Sequence, residues 1–211
     1  MFARRERFET KTDDEIRLMR RAGLVVADTL QMLSERAVAG STTGDLDGWA
    51  EAHIRAAGAR PSFAEVPGYR HTLCVSVNDE VVHGIPGERV LREGDLVSID
   101  CGAVLDGWHG DAAITLVVGG RTAARPEDLI LMDATEDALW SAIAALRVGG
   151  RLDSAGGGVE DALAAAQEAA RATGAHLDFG IVEGYEGHGI GREMHMDPGV
   201  PNYRVRGRSP K

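Results

Sequence analysis

Apolar residues recur every three or four positions in the first third of the chain, which predicts two amphipathic helices. The first begins at the capping box Thr12–Glu15 and runs to about Arg36. The residues expected on its buried face are Ile16, Met19, Leu24, Ala27, Leu30 and Leu33. The second follows Ser41–Thr43 and stops at Gly58, because glycine suits a helix C terminus. Its marker residues are Leu46, Trp49, His53, Ile54 and Ala57.

The pattern then changes to the alternation that is typical of strands. Residues 73–77 and 96–101 predict two strands, and 112–118 predict a third. The dipeptide Asp106-Gly107 between the last two is a strong signal for a two-residue β-hairpin. We therefore expect the strands on either side of it to pair antiparallel.

Helical patterns return in the second half of the chain. One helix is predicted from Pro126 through Leu146 to a stop at Gly149-Gly150, and another from about Val159 to Ala172, ended by Gly174. Short sequences before and after these helices resemble those around the first two, and each half continues into a segment with Gly and His. We predict a duplicated α+β unit within one domain, with an N-terminal half over about 12–120 and a C-terminal half over about 121–211.

Composition and charge narrow the class of protein. The 211 residues include 23 Lys and Arg against 33 Asp and Glu, a net charge of −10 that argues against a DNA-binding role. The two cysteines, Cys74 and Cys101, form neither a disulfide framework nor a thiolate zinc site. No apolar run is long enough to cross a bilayer, and the N terminus lacks a secretory signal. We expect a cytoplasmic, monomeric protein that binds neither DNA nor membranes.

The hairpin predicts a pair of carboxylates. With Asp106-Gly107 as the turn, Gly102 lies opposite Asp111, and alternation puts Asp100 on the same face as Gly102. The two aspartates are then diagonal neighbours, with Cα atoms roughly 7–8 Å apart. Such a pair can hold divalent Mn, Fe, Co or Zn, and nearby imidazoles favour these ions over Ca.

Three histidines lie in segments rich in Gly or Met, where backbone can pass close to a ligand. His188 is in the sequence Gly187–Gly191, His195 follows Met194, and His83 ends an apolar stretch at a turn. We predict that these three belong to a functional site. The remaining histidines are expected to be structural: His53, His71, His109 and His176.

Four motifs, in this order and spacing, resemble type I methionine aminopeptidases. They are Asn78–Pro86, Ile99–Asp100, Asp106–Asp111 and Gly187–Gly191. The resemblance covers most of the chain, from about residue 11 to about residue 203. It implies the duplicated pita-bread fold, an α+β architecture that agrees with the internal similarity of the two halves.

The resemblance also implies a metal site. By analogy with the family, Asp100 chelates one metal ion, Asp111 bridges two, and His188 ligates the second. Two divalent ions (Co, Mn, Fe or Zn) are expected for the family. They activate a water molecule for attack on the first peptide bond, so that methionine is removed from nascent proteins and peptides with a small second residue.

Further residues match substrate-binding positions of the family. His83 is implied to contact the substrate and stabilise the tetrahedral intermediate, and His195 to bond the scissile peptide group. The methionine side-chain pocket is implied to consist of Tyr69, Cys74 and Met194. The expected partners are peptide N termini, and an association with the ribosome is a further expectation.

The family pattern continues beyond Lys211 and carries two glutamate ligands there, whereas residues 201–211 contain no carboxylate side chain. We therefore expect a chain without its last strands, with one metal ion or none, and with weak or no activity.

Two alternatives stay open, and a third is disfavoured. One is a non-catalytic module of the same fold that binds peptides or the ribosome. Another is a proline-directed aminopeptidase or dipeptidase. A Cys/His hydrolase is the third, but it gives no reason for the paired aspartates.

Overall fold

A computed structural model describes residues 8–174 and 178–205. The chain divides into two compact units, of which unit 1 comprises residues up to Ala124 together with Ile190–His195. Unit 2 comprises Arg125–Gly189 and the residues from Met196 onward. His176 and residues 206–211 lie outside the described residues. The arrangement as a single domain of two sequential halves stays a prediction.

Both predicted N-terminal helices are present in unit 1. Helix α1 spans Asp13–Arg36, and its capping box is complete, since the side chain of Thr12 accepts from the amide of Glu15 and that of Glu15 accepts from the amide of Thr12. Helix α2 spans Thr43–Ala56 and begins with an equivalent box between Thr42 and Asp45. No helix in the described part of the chain has the length and apolar character of a membrane span.

The sheet of unit 1 is built around its longest hairpin. Its strands are β1 (Arg60–Pro61), β2 (Leu73–Val77), β3 (Leu96–Leu105) and β4 (Trp108–Val117). Strand β3 is antiparallel to β4 on one edge and to β2 and β1 on the other. Asp106 and Gly107 form the turn with φ of 53° and 78°, as the sequence predicts. Short 3-10 helices at Phe63–Glu65 and Arg121–Ala123 complete the unit.

The two faces of this sheet have different chemistry. Val97, Ile99, Cys101 and Ala103 of β3 are fully buried beneath the helices. The residues between them face the opposite way. The acidic residue of β3, Asp100, therefore lies on the face opposite to the one that packs on α1 and α2.

The buried face of α1 differs from the predicted one. Its buried residues are Ala22, Val26, Thr29, Leu30 and Leu33, whereas Ile16 and Leu24 are 52% and 43% exposed. The cause lies in β4, because a Cβ on Gly110 would come within 2.7 Å of the backbone nitrogen of Gly23. Helix α1 thus packs on β4 by its small residues, and this close approach turns the larger apolar residues outward.

Unit 2 repeats the order of two helices followed by strands. Its elements are α3 (Pro126–Ala145), α4 (Ser154–Ala172), β5 (Glu186–Gly189) and β6 (Met196–Pro201), with β5 and β6 antiparallel. The predicted start of α4 at Val159 is wrong by five residues. Three glycines precede Val159 in the sequence, and they lie inside the helix. A Cβ on Gly158 would lie 2.7 Å from the carbonyl oxygen of Ser141, so Gly158 lets α4 pack closely on α3.

His109 has the structural role that the sequence predicts. Its side chain is buried, and its Nδ1 lies 3.0 Å from the Ser62 hydroxyl. Burial lowers the pKa of His109, although the Glu65 carboxylate acts in the opposite direction. The folded protein therefore favours the neutral imidazole.

This lowered pKa predicts a loss of stability in acid. The unfolded chain binds a proton at His109 below its ordinary pKa of about 6.5, whereas the folded state resists it. Stability is thus complete above that pH and falls as the pH drops toward the lower folded pKa. Urea unfolding at pH 7.5 and 5.5 measures the difference. We expect His109→Asn to reduce this difference in the free energy of unfolding and His53→Asn, on α2, to leave the difference unchanged. Equal pH dependence in both variants contradicts the assignment of the effect to His109.

Candidate active site

The acidic pair lies where the hairpin register predicts. Asp100 is opposite Ala113, and Asp111 is opposite Gly102, so both carboxylates are on the face of β3 and β4 away from the core. Both side chains are half-buried. Two carboxylates held on one face attract cations, because without one their charges repel each other.

Cys74 joins this pair from the neighbouring strand. It is opposite Asp100 in the β2–β3 ladder and therefore on the same face. Burial raises the pKa of the Cys74 thiol, and the charges of Asp100 and Asp111 raise it further. Burial also raises the pKa of Cys101, to about 12. Both thiols are protonated at neutral pH, which argues against a nucleophilic cysteine.

Tyr69 contacts Cys74 from the loop that precedes β2. Its hydroxyl donates to the carbonyl oxygen of Leu73 at 2.7 Å and lies 3.4 Å from the sulfur of Cys74. Burial and the Cys74 contact raise the pKa of the phenol well above its usual value. Tyr69, Cys74 and Asp100 thus form one patch, in which the first two are neutral.

His83 lies on a turn beside β2 and is exposed to solvent. Its φ of 59° is uncommon for a residue other than glycine. The hydrogen bonds of the next residue, Gly84, hold this conformation. The Gly84 carbonyl oxygen accepts from the amide of Val75 at 2.8 Å, and the Gly84 amide donates to the Ser76 hydroxyl at 3.1 Å. A Cβ on Gly84 would collide with the Val75 carbonyl oxygen. The strained backbone of His83 is held in place by β2, as is common at functional sites.

Met194 and His195 belong to the segment Ile190–His195, which packs in unit 1. The amide of His109 donates to the carbonyl oxygen of Gly191 at 2.8 Å. The guanidinium carbon of Arg192 lies 4.3 Å from the ring centroid of buried Trp108, a cation–π contact. The segment is therefore attached to β4 a few residues before Asp111.

His188 is on β5 of unit 2, opposite Gly199. Its Nδ1 lies 2.9 Å from the carbonyl oxygen of Gly189. A carbonyl oxygen only accepts, so Nδ1 is the donor in this contact. The ligand role of His188 stays a prediction.

Comparison with known proteins identifies the family. The model of metallopeptidase family M24 matches residues 17–210. Methionine aminopeptidase 1 of Mycobacterium tuberculosis is 49% identical over 197 residues, which are 93% of this chain and 71% of that relative. This chain belongs to the methionine aminopeptidases of metallopeptidase family M24.

Two further members of the family give the same result. The methionine aminopeptidase of Clostridium acetobutylicum is 43% identical over 204 residues, covering 95% of this chain and 75% of its own length. The crystal structure of the methionine aminopeptidase of Thermotoga maritima superposes with a TM-score of 0.80 at 36% identity, over 94% of this chain and 75% of its own. The predicted α+β pita-bread fold is confirmed.

Membership in a metallopeptidase family implies a divalent metal ion. Asp100 and Asp111 fit such an ion, since carboxylate oxygens on one face suit Mn, Fe, Co or Zn. Among residues 8–174 and 178–205, no three His, Cys, Asp or Glu side chains are grouped closely enough to hold one. Asp100 and Asp111 thus supply two carboxylate ligands for such an ion, and any further ligand is a proposal.

Asp47 was missed by the sequence analysis. This α2 residue accepts from the amides of Thr72 and Leu73, both at 2.8 Å, where the chain enters β2. Its only signal in the sequence is its position beside Leu46, which is fully buried. A polar residue there predicts nothing specific until the loop before β2 is placed against the helix.

Proposed function

We propose that this aminopeptidase removes the N-terminal methionine from peptides and nascent proteins whose second residue is small. The observation that carries the proposal is the position of Asp100 and Asp111 on one sheet face beside Cys74, in a chain of this family. The reaction is hydrolysis of the first peptide bond.

The metal ligands that we propose are Asp100, Asp111 and His188. The half-buried carboxylates would hold one or two divalent ions (Co, Mn, Fe or Zn), and His188 would supply an imidazole nitrogen. A bound divalent ion lowers the pKa of water and polarises a carbonyl oxygen. The proposal for His188 rests on its motif, Gly187–Gly191.

The other site residues act on the substrate. We assign to His83 the stabilisation of the developing oxyanion, in keeping with its fixed turn conformation. His195 hydrogen-bonds the scissile peptide group. Tyr69 and Cys74, both neutral, line the methionine side-chain pocket with Met194. A thioether fits such a surface because sulfur and aromatic rings attract each other.

The test is release of methionine by the full-length product of the gene that encodes this sequence. Met-Ala-Ser, Met-Lys-Ser and Ala-Pro-Pro are incubated with protein that has been treated with a chelator and reloaded with Mn²⁺ or Co²⁺. We expect methionine from Met-Ala-Ser alone, and only after reloading. Cleavage of Ala-Pro-Pro instead supports a proline-directed enzyme. Binding of Met-Ala-Ser with no cleavage under any metal supports a non-catalytic module.

The proposal also covers where and with what the enzyme acts. A cytoplasmic monomer that meets nascent chains at the ribosome agrees with the peptide-directed family. Sedimentation of the protein with purified ribosomes, at low and moderate salt, measures that association.

A further inference from the structure

The carboxylate of Asp47 links α2 to the loop before β2. Oδ1 accepts the amides of Thr72 and Leu73 at 2.8 Å each, and Oδ2 lies 3.4 Å from Nδ1 of His71. Thr72 and Leu73 are 3% and 0% exposed, so solvent cannot replace these bonds. The loop 69–73 is thus fixed to the helix through one side chain.

The same loop sets the position of Tyr69. The Tyr69 ring makes edge contacts with His71, at a centroid distance of 5.6 Å, and with Phe63, at 6.5 Å. Its hydroxyl donates to the carbonyl oxygen of Leu73, whose amide is held by Asp47. Tyr69 therefore reaches Cys74 through a backbone that depends on Asp47.

We propose that Asp47 is a positioning residue for the methionine side-chain pocket, because it fixes the loop 69–73 and this loop places Tyr69 against Cys74. His71 assists by contacting both Asp47 and the Tyr69 ring. The pocket role rests on the proposed function, whereas the control of the loop 69–73 is a property of the fold.

Two substitutions separate the charge of Asp47 from its geometry. Asp47→Asn removes the charge but keeps an oxygen that accepts both amides, whereas Asp47→Ala removes both. The distinction matters because the charge of Asp47 contributes to the raised pKa of Cys74. Glu51→Ala is a matched control, since Glu51 is on the same helix and its carboxylate pairs with Arg55.

Alkylation of the two thiols by iodoacetamide, followed peptide by peptide with mass spectrometry, measures how well the loop 69–73 protects Cys74 from the reagent. Cys74 is 8% exposed and lies beneath Tyr69, whereas Cys101 is in the core and reports global unfolding. We expect Cys74 of Asp47→Ala to react about tenfold faster than that of Asp47→Asn, because local opening governs access. Cys101 stays unreactive, and Glu51→Ala behaves like the parent protein.

Equal Cys74 rates in Asp47→Ala and Asp47→Asn overturn the proposal, because charge alone then explains the change. A parallel rise at Cys101 also overturns it, since Asp47 then supports the whole unit. A kinetic readout follows from the pocket role: KM for Met-Ala-Ser rises about tenfold in Asp47→Ala, with kcat nearly unchanged, and Asp47→Asn restores it. Absence of methionine release by the parent protein refutes the proposed function, while the alkylation result stands by itself.

Discussion

Asp100→Asn is expected to lower kcat/KM for methionine release from Met-Ala-Ser about a thousandfold, because it removes the charge of a proposed metal ligand. Asparagine keeps the shape of the aspartate side chain. Residue 100 lies on the face of β3 away from the core, so the substitution leaves the packing of the core unchanged. Calorimetric titration with Mn²⁺ is expected to show weaker binding in the same variant. Asp111→Asn has an effect of similar size.

The matched control for this experiment is Asp106→Asn. Asp106 is at the tip of the same hairpin and pairs with Arg21 at 2.7 Å, and its φ of 53° is one that asparagine tolerates. We expect full activity from it. The free energy of unfolding of metal-free Asp100→Asn, measured beside that of the parent, separates a loss of activity from a loss of folding. Parent-like activity in Asp100→Asn contradicts the assignment of the site.

Gly110→Ala destabilises the protein by about 3 kcal/mol, because α1 has no room for the added methyl group. Its Cβ would lie 2.7 Å from the nitrogen of Gly23 and 2.8 Å from the carbonyl carbon of Ala22. Both neighbours are backbone atoms, which cannot rotate away as a side chain can. Urea unfolding measures the loss, and methionine release should fall as well, since Asp111 is the next residue.

Gly23→Ala is the control, and its expected sign is opposite. Gly23 is inside α1, and a Cβ built on it meets no atom within 4 Å. Alanine there should stabilise the protein by about 0.5–1 kcal/mol through helix propensity. A loss of stability from Gly23→Ala contradicts the open space around Gly23, and an absence of loss from Gly110→Ala contradicts the close approach of α1 and β4.

The features that the sequence predicts well depend on residues close together in the chain. The capping box Thr12–Glu15 and the turn Asp106-Gly107 each act within a few residues, and each is in the predicted place. The diagonal relation of Asp100 and Asp111 follows from that turn by alternation alone. The acidic pair could therefore be located before any tertiary contact was known.

The features that the sequence predicts poorly depend on distant partners. The buried face of α1 is set by Gly110, and the start of α4 by the contact of Gly158 with Ser141. Asp47 acquires its role only when the loop before β2 packs on α2. The spacing of hydrophobic residues carries no information on which distant segment packs against them. The buried face of α1 and the start of α4 were therefore predicted wrongly, and Asp47 was missed.

The β3–β4 hairpin also constrains how this protein can diverge. Surface turns usually accept inserted or deleted residues at little cost. Here, one residue added within the paired part of β3 after Asp100, or of β4 before Asp111, would shift the pairing by a single step and send one carboxylate to the opposite face of the sheet. Length change within these strand segments would thus separate the acidic pair without altering either aspartate, so insertions that preserve it are restricted to the turn at Asp106-Gly107.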